Sequence, residues 1–354
     1  MLVKNLQLRN FRNHNKSQFL FLPGINVISG PNAAGKTNII EAIYYLSIAR
    51  SFRGVEDDEL ICKGSEYAEI DSEVLEGTIR RKIHILITKK GRQVLLNGKK
   101  VSKLSELTKC VNVLLFEPKD VMLFRGSPRE RRNFLDINLS KKYPVYLEYI
   151  SRFEKILKER NEMLKSDIID EKLLAANTEL FVKYAAPIVE YRTRYIKDIN
   201  DILIKITRAI TGVRGKIEIL YKPFIPFDKD FKSRATEALN AALENDLRHK
   251  ATSIGPHRED FSVSLNKRDI GAFGSQGENR LVALSLKLSP YFLIEDKEKK
   301  PVVVLDDVMS ELDQTHQENL IKFLKKFKQV FITATELDID GANPLKITKT
   351  KEVF

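Results

Sequence analysis

Gly30-Pro31-Asn32-Ala33-Ala34-Gly35-Lys36-Thr37 follows a short apolar run, Asn26-Val27-Ile28-Ser29, and opens directly onto a helical pattern. The octet is G-x-x-x-x-G-K-[ST] in the strand–loop–helix setting that gives the motif its meaning. Its chemistry is the grip of a polyphosphate. Glycines let the backbone bend so that successive N–H groups converge on the β-phosphate, and the helix start adds the positive end of its dipole. Lys36 can reach the β- and γ-oxygens, and the Thr37 hydroxyl is a hard oxygen ligand for Mg²⁺. A glycine turn that merely precedes a lysine needs neither flanking element.

A phosphate loop of this kind requires a carboxylate for the metal shell. Val302-Val303-Val304-Leu305-Asp306-Asp307 supplies it, a buried-strand pattern ending in two acids. Asp306 at the carboxyl end of that strand is expected beside Thr37, the two forming the Mg²⁺ site. Asp307 is placed to orient or deprotonate an attacking water, so the expected catalytic set is Lys36, Asp306 and Asp307. An acid pair after a strand also serves as a helix cap, the competing reading. Asn266-Lys267-Arg268-Asp269 and Asp338-Ile339-Asp340-Gly341 imitate guanine-nucleotide motifs, but their order is reversed. The first also follows an alternating run, as a hairpin turn does.

Ser275, Gln276 and Gly277 lie in Phe273-Gly274-Ser275-Gln276-Gly277-Glu278-Asn279-Arg280, ahead of an apolar helix. A serine and a glycine at a helix start form a second anion cradle, of hydroxyl, open N–H groups and dipole. The first loop already wraps the β-phosphate, so a second cradle makes sense if it caps the γ-phosphate held by another copy of the chain. Alone, this stretch would read as a helix cap. After the Asp pair, Ser310-Glu311-Leu312-Asp313 gives S-x-L-D, and the order of the four blocks sharpens the reading.

The elements that must position these residues fall into two regimes. Residues 1–124 alternate in short stretches (2–8, 18–22, 69–75, 79–88 and 94–96), interrupted by a helix over 36–48. From Ser127-Pro128-Arg129-Glu130, a helix start, the period becomes helical. Seams from Tyr146 to Leu157 and from Leu180 to Ile206 predict two long antiparallel helices, with a kink expected at Pro187. A strand over 216–222 and a helix over 231–250 complete this middle part. Strands over 261–265, 302–305 and 330–333 alternate with helices over 277–289 and 314–328. The expected organisation is an α/β P-loop head of residues 1–124 plus 253–354, with a mainly helical lobe, 125–252, inserted as an αα-hairpin arm.

Composition bounds the class. The 354 residues are 43% apolar and 31% charged, an ordinary globular balance, and the net charge of +12 is compatible with a polyanionic partner and equally with a Lys/Glu-rich thermophile surface. Cys62 and Cys110 form no metal spacing or disulfide framework and are expected to be reduced core residues. The opening lacks the charged and apolar regions of a leader, and no apolar run approaches the ~20 residues of a membrane span. A cytoplasmic, nucleoid-associated protein without a membrane partner is expected.

Taken together, the blocks resemble those of the ABC-type ATPases, and within them the RecF family of bacterial recombinational repair proteins. Asn10-Phe11-Arg12-Asn13, Ala49-Arg50-Ser51-Phe52-Arg53, Gly126-Ser127-Pro128 through Arg131-Arg132-Asn133-Phe134-Leu135-Asp136, Gly255-Pro256-His257-Arg258 and Ser275-Gln276-Gly277 occur in RecF order. The resemblance spans essentially the whole chain. It implies an ABC-type head that binds ATP and Mg²⁺ and forms an ATP-dependent homodimer on double-stranded DNA at gaps and single-strand/double-strand junctions. It further implies weak DNA-stimulated ATP hydrolysis acting as a switch, partnership with RecR and through it RecO, and help in loading RecA. Three departures stand out: Glu278 where RecF proteins commonly carry Gln, Asp307 and Thr37 where many transporter ATPases have Glu and Ser, and no switch histidine. Thr333 or Thr335 is left as its replacement.

Arg80-Arg81-Lys82, Lys89-Lys90-Gly91-Arg92, Lys99-Lys100 and Arg129/Arg131/Arg132 are candidate DNA-phosphate contacts, set against the plain alternative of solvated surface. No basic helix shows groove-reading spacing, so binding without sequence preference is expected. His84 and His257 are expected in packing or local hydrogen bonds. The competing functional readings are a nucleotide-controlled scaffold with negligible hydrolysis, another ATPase head of the SMC/Rad50 class, and a transport ATPase. The helical insert is too short for SMC arms, and a transporter's two phosphate motifs would lie closer together.

Overall fold

The computed structural model describes residues 1–102, 105–166, 168–212 and 215–348. The chain opens with β1 (Leu2–Phe11), β2 (His14–Leu20) and β3 (Gly24–Ser29), followed by α1 (Lys36–Ile48). Next come β4 (Tyr67–Glu76), β5 (Ile79–Thr88), β6 (Gly91–Leu96), β7 (Lys99–Lys100), α2 (Ser105–Cys110) and β8 (Val113–Phe116). The middle of the chain holds α3 (Pro128–Lys142), α4 (Pro144–Lys165), α5 (Glu171–Thr211), β9 (Ile217–Lys222) and α6 (Phe231–His249). It continues with β10 (Asp260–Leu265), β11 (Arg268–Asp269), α7 (Ile270–Phe273) and α8 (Gln276–Leu293). The chain closes with β12 (Val302–Leu305), α9 (Gln314–Leu324), β13 (Gln329–Ala334) and β14 (Asn343–Lys346).

These elements form two compact units. One comprises Met1–Asp120, Thr207–Val213 and Leu284–Phe354; the other comprises Val121–Ile206 and Arg214–Ala283. The boundary differs from the sequence expectation at its second edge. Residues 253–283, expected in the head, group with the helical unit, because β10 pairs antiparallel with β9 and β11 in a separate three-stranded sheet. Asn266 and Lys267 both take left-handed φ values, 52° and 66°, and make the β10–β11 turn. Positive φ at both central residues is what a two-residue type I′ hairpin turn requires.

The α/β unit stacks two sheets about one core. Six antiparallel strands run β2-β1-β4-β5-β6-β7, and five parallel strands run β14-β3-β13-β12-β8. Parallel strands buried on both faces read as unbroken apolar runs, and β12 and β13 are buried at every position. The α1 residues Ile39, Ile40, Ile43 and Leu46 share a core with Val3, Leu6, Ile70 and Ile85 of the antiparallel sheet and Val302, Val304 and Phe331 of the parallel one. Helix α1, and with it the loop at its N-terminus, is thereby fixed between the sheets.

In the helical unit α4 and α5 run antiparallel. Tyr146 meets Tyr191 with ring centroids 5.8 Å apart, Phe153 meets Phe181 at 4.9 Å, and Arg160 Nη1 donates to Thr178 Oγ1 at 2.7 Å. The 41-residue α5 continues through Pro187. Ser127 and Glu130 close a capping box at the start of α3, with Pro128 in its first turn.

Candidate functional site

The loop between β3 and α1 is shaped by close approach. A Cβ at Gly30 would stand 2.2 Å from the Ile347 carbonyl oxygen, so only glycine fits. Gly35 takes φ 99°, and a Cβ there would meet the Asn13 side chain at 2.6 Å and His14 Nε2 at 2.8 Å. The turn between β1 and β2 is therefore the back wall of the loop. His14 Nε2 lies 3.3 Å from the Gly35 carbonyl, and burial holds its pKa below the usual value. Asn38 Nδ2 donates to Asn13 Oδ1 at 2.8 Å and ties α1 to the same turn.

Pro31, Asn32 and Ala33 are exposed at the crest, Ala34 and Gly35 are buried, and Lys36 and Thr37 begin the helix. Lys36 Nζ donates to the carbonyls of Gly30 at 2.7 Å and Pro31 at 2.9 Å, so the ammonium folds over the loop it would serve. Thr37 Oγ1 donates to Asp306 Oδ1 at 3.2 Å. Asp306 also accepts from Thr333 Oγ1 at 2.7 Å, and burial pushes its carboxyl above the usual carboxylate range against both hydroxyl bonds. Asp307 takes φ 48°; its N–H donates to Thr333 Oγ1 at 2.9 Å. The bend leaves Asp307 exposed to the cleft while Asp306 is buried.

Lys36, Thr37, Asp306 and Asp307 line one cleft of about 530 Å³ together with Asn32, Ala33, Gly35, Thr333 and Thr335. Asn13, Asn38 and Arg53 complete the lining. Sequence reasoning gave those three no role, although Asn13 and Arg53 fall in blocks it had marked. Arg53 is held by the fully buried Glu41 of α1, with Nη1 3.7 Å from Oε2. The same carboxylate takes a two-pronged bond from Arg12 at 2.8 and 2.9 Å and a bond from Ser51 Oγ at 2.5 Å. One buried acid on α1 thus organises two arginines, of which Arg53 lines the cleft.

The donor set suits a metal–triphosphate. Thr37 and Asp306 present two hard oxygens side by side, the ligand type Mg²⁺ selects, and the Gly30 and Gly35 contours leave no room for side chains in the loop. Among the described residues, no group of three or more His, Cys, Asp or Glu side chains forms a metal cluster. His84 instead bonds Asp71 across β4 and β5 at 2.8 Å, and His257 packs against Phe153 and Phe181. Cys110 is buried as expected, whereas Cys62 is only half-buried, with Sγ donating to Asn15 Oδ1.

Ser275, Gln276 and Gly277 lie in the other unit, exposed at the start of α8, and a Cβ at Gly277 would enter open space. Several candidate DNA cations prove to be occupied within the chain. Arg131 is buried in a two-pronged bond to Asp260, Arg132 donates to the Glu259 carbonyl, and Arg92 holds Asp57. Lys82, Lys89, Lys90, Lys99, Lys100 and Arg129 are exposed.

A phosphate loop and strand-end acid on a two-sheet α/β unit, with a large helical insertion, define an ATPase head of the ABC/SMC type. The family model described as RecF/RecN/SMC N terminal domain matches residues 2–348. The chain belongs to this family, and within it to the RecF proteins. It is 35% identical to the DNA replication and repair protein RecF of Bacillus cereus (strain G9842), with 100% of this chain and 97% of that protein covered. The RecF of Bacillus thuringiensis (strain Al Hakam) is 34% identical with the same coverage. The solved structure of the recombination mediator protein RecF-ATP in the RecFOR pathway superposes with a TM-score of 0.87 at 32% identity, covering 98% of this chain and 97% of that one. An Smc head bound to the C-winged helix domain of ScpA shares the fold alone, at TM-score 0.57 and 17% identity.

Proposed function

We propose that this protein is an ATP-driven DNA clamp of recombinational repair whose hydrolysis resets it. The carrying observation is the convergence of Lys36, Thr37, Asp306, Asp307 and Thr333 in one cleft. Bound ATP and Mg²⁺ would supply the scissile phosphoanhydride and the charge that polarises it, Thr37 and Asp306 holding the metal. Lys36 leaves the Gly30 and Pro31 carbonyls to neutralise the β- and γ-oxygens. The loop N–H groups and the α1 N-terminus bind the remaining phosphate charge. Asp307 orients the attacking water and takes its proton, and Thr333 fixes both acids. Aspartate is one methylene shorter than glutamate, so slow turnover, suited to a switch, is expected.

Ser275, Gln276 and Gly277 cap the γ-phosphate in the cleft of a second copy, which makes the homodimer ATP-dependent. Support comes from their exposure on a helix start and from the RecF relative solved with ATP. Double-stranded DNA near single-strand junctions is the polyanion, RecR and through it RecO are the protein partners, and loading of RecA is the outcome. The setting is cytoplasmic, at the nucleoid; among the described residues no helix is long and apolar enough to cross a membrane.

One experiment separates the two halves of this reading. Lys36→Ala should lose ATP binding by calorimetry, about 100-fold or more, since a charge-assisted phosphate contact is removed. Ser275→Arg should keep ATP binding yet remain monomeric in light scattering with a non-hydrolysable analogue. Normal ATP affinity in the first variant refutes the pocket; a dimer in the second refutes closure by a partner.

A further inference from the structure

The turn Gly255–Glu259, which leads into β10, is anchored along its whole length. Gly255 takes φ 132°, and a Cβ there would stand 2.6 Å from the Phe181 ring, so only glycine fits. The buried Arg192 of α5 donates from Nη1 to the Pro256 carbonyl and to Glu259 Oε2, each at 2.7 Å. His257 Nε2 bonds the Thr252 carbonyl at 3.0 Å, and the Arg258 N–H donates to the Gly255 carbonyl at 2.9 Å. Glu259, itself buried, also accepts from the Tyr221 hydroxyl and, at 3.2 Å, from the Phe224 N–H. Its carbonyl accepts from Arg132 Nη1 at 2.7 Å. The Arg258 side chain is the exception. It is exposed and makes no hydrogen bond or ion pair among the described residues.

The charges at this corner do not cancel. Asp136 takes a two-pronged bond from Arg192, and Asp260 takes one from Arg131 at 2.6 and 2.9 Å. Asp136, Glu259 and Asp260 are thus balanced by Arg131, Arg132 and Arg192. Arg258 is surplus to that balance. So is Lys222, exposed at the end of β9 directly opposite Asp260, whose ammonium makes no hydrogen bond or ion pair among the described residues. Burial lowers the Arg132 guanidinium below the usual arginine range, and the neighbouring Arg192 and Arg258 push it the same way, so Arg258 stands close to this cluster.

Fixing the backbone beneath an exposed, unbonded arginine does nothing for the head group in the free protein. It does lower the ordering cost when the head group meets an anion. A guanidinium meets phosphate with two parallel bonds, and a lysine adds a point charge. Neither Arg258 nor Lys222 lines the phosphate-loop cleft, so the anion is not the nucleotide held there. Both stand on open surface, which suits an extended polyanion better than a small anion that needs an enclosing pocket. The excess of +12 reaches well beyond this one corner, which favours a long, evenly charged backbone over a local acidic patch.

We propose that Arg258 and Lys222 form a phosphate clip on the helical unit that grips the sugar–phosphate backbone of duplex DNA. Arg258 binds through its fork and Lys222 through its charge, and neither reads sequence. The clip rests on the DNA reading given above and gives it a contact outside the α/β unit.

The test follows a labelled duplex and labelled poly-L-glutamate by fluorescence anisotropy over a salt series, with adenylyl imidodiphosphate and Mg²⁺. It compares the wild-type chain, the double variant Arg258→Ala with Lys222→Ala, and Arg258→Lys. A wild-type urea midpoint and unchanged affinity for the nucleotide analogue check that the variants are folded. The double variant should bind the duplex at least ten-fold more weakly at about 100 mM salt, with a log–log salt slope shallower by about two. Arg258→Lys, which keeps the charge, should keep the wild-type slope. Wild-type affinity and slope in the double variant overturn the clip and leave DNA binding standing. Weaker binding at an unchanged slope also overturns it, as the mark of a distorted turn. Loss of polyglutamate binding alone overturns it in favour of an acidic protein partner. A wild-type chain that binds no duplex overturns the DNA reading and the clip together.

Discussion

Thr333 makes two bonds from a single hydroxyl: it donates to Asp306 Oδ1 and accepts from the Asp307 N–H, both inside the protein. Among the described residues, no other side chain hydrogen-bonds to both members of the acid pair, which gives Thr333 a positioning role; the sequence had left the place of the missing switch histidine open between it and Thr335. The ambiguity has a physical source. Two residues apart, the threonines would share a face of an ideal strand, but the ladder ends at Ala334 and Thr335 bends out, exposed, into the cleft. Thr333→Val keeps the shape and removes the hydroxyl. It should lower the ATP turnover number at least ten-fold while leaving ATP affinity within about three-fold, and Thr333→Ser should restore turnover. A loss of affinity equal to the loss of turnover would mean that Thr333 supports the whole pocket rather than the acids. The P-loop and the acid pair were readable because their chemistry demands a fixed local spacing. Asn13 and Arg53 were not, because they reach the cleft through the β1–β2 turn and through Glu41, long-range contacts with no period of their own.

Helical period and proline position made α3, α4 and α5 readable as elements, and alternation did the same for β4 and β5. The partner of a strand is less legible, since pairing depends on where the chain returns; β10, expected within the head, pairs instead with β9 and β11. The loop that leads into β10 also carries a pH-dependent element. His257 sits between α4 and α5 against Phe153 and Phe181, and Nε2 bonds the Thr252 carbonyl at 3.0 Å. Burial lowers its pKa from 6.5 to about 4. The unfolded chain therefore binds a proton between about pH 6.5 and 4 that the folded unit refuses, and stability falls as pH falls through that window. The full effect is about 3 kcal/mol, of which about 2 kcal/mol is lost between pH 7 and 5. Urea titrations that follow unfolding of the helical unit should show this loss in wild type and a correspondingly smaller one in His257→Gln. Parallel pH profiles for the two proteins would place the sensitivity elsewhere.

At the scale of the molecule, a net charge of +12 says only that a polyanion is welcome, and single clusters in the sequence could not say where. The fold sorts them. Arg92, Arg131 and Arg132 are bound to neighbouring groups; Arg129 is exposed, and two exposed lysine groups lie at opposite ends of the β5–β6 pair. Lys82 lies beside the Asn97-Gly98 turn that leads to Lys99 and Lys100, while Lys89 and Lys90 form the β5–β6 turn. Flexible, exposed lysines deliver point charge without the planar fork that reads a base edge, so such a surface tracks phosphates and ignores sequence. An interface that neutralises about five phosphates gives a log–log salt slope near −4.5, so raising salt from about 50 to about 200 mM should weaken duplex binding roughly 500-fold. Lys99→Glu with Lys100→Glu should flatten that slope by about two, and binding should be nearly equal across unrelated duplex sequences. Fluorescence anisotropy with labelled duplexes measures both quantities. A shallow slope in wild type, or a strong preference for one duplex, would overturn the phosphate-tracking surface of the proposed clamp and favour a nucleotide-controlled scaffold for protein partners.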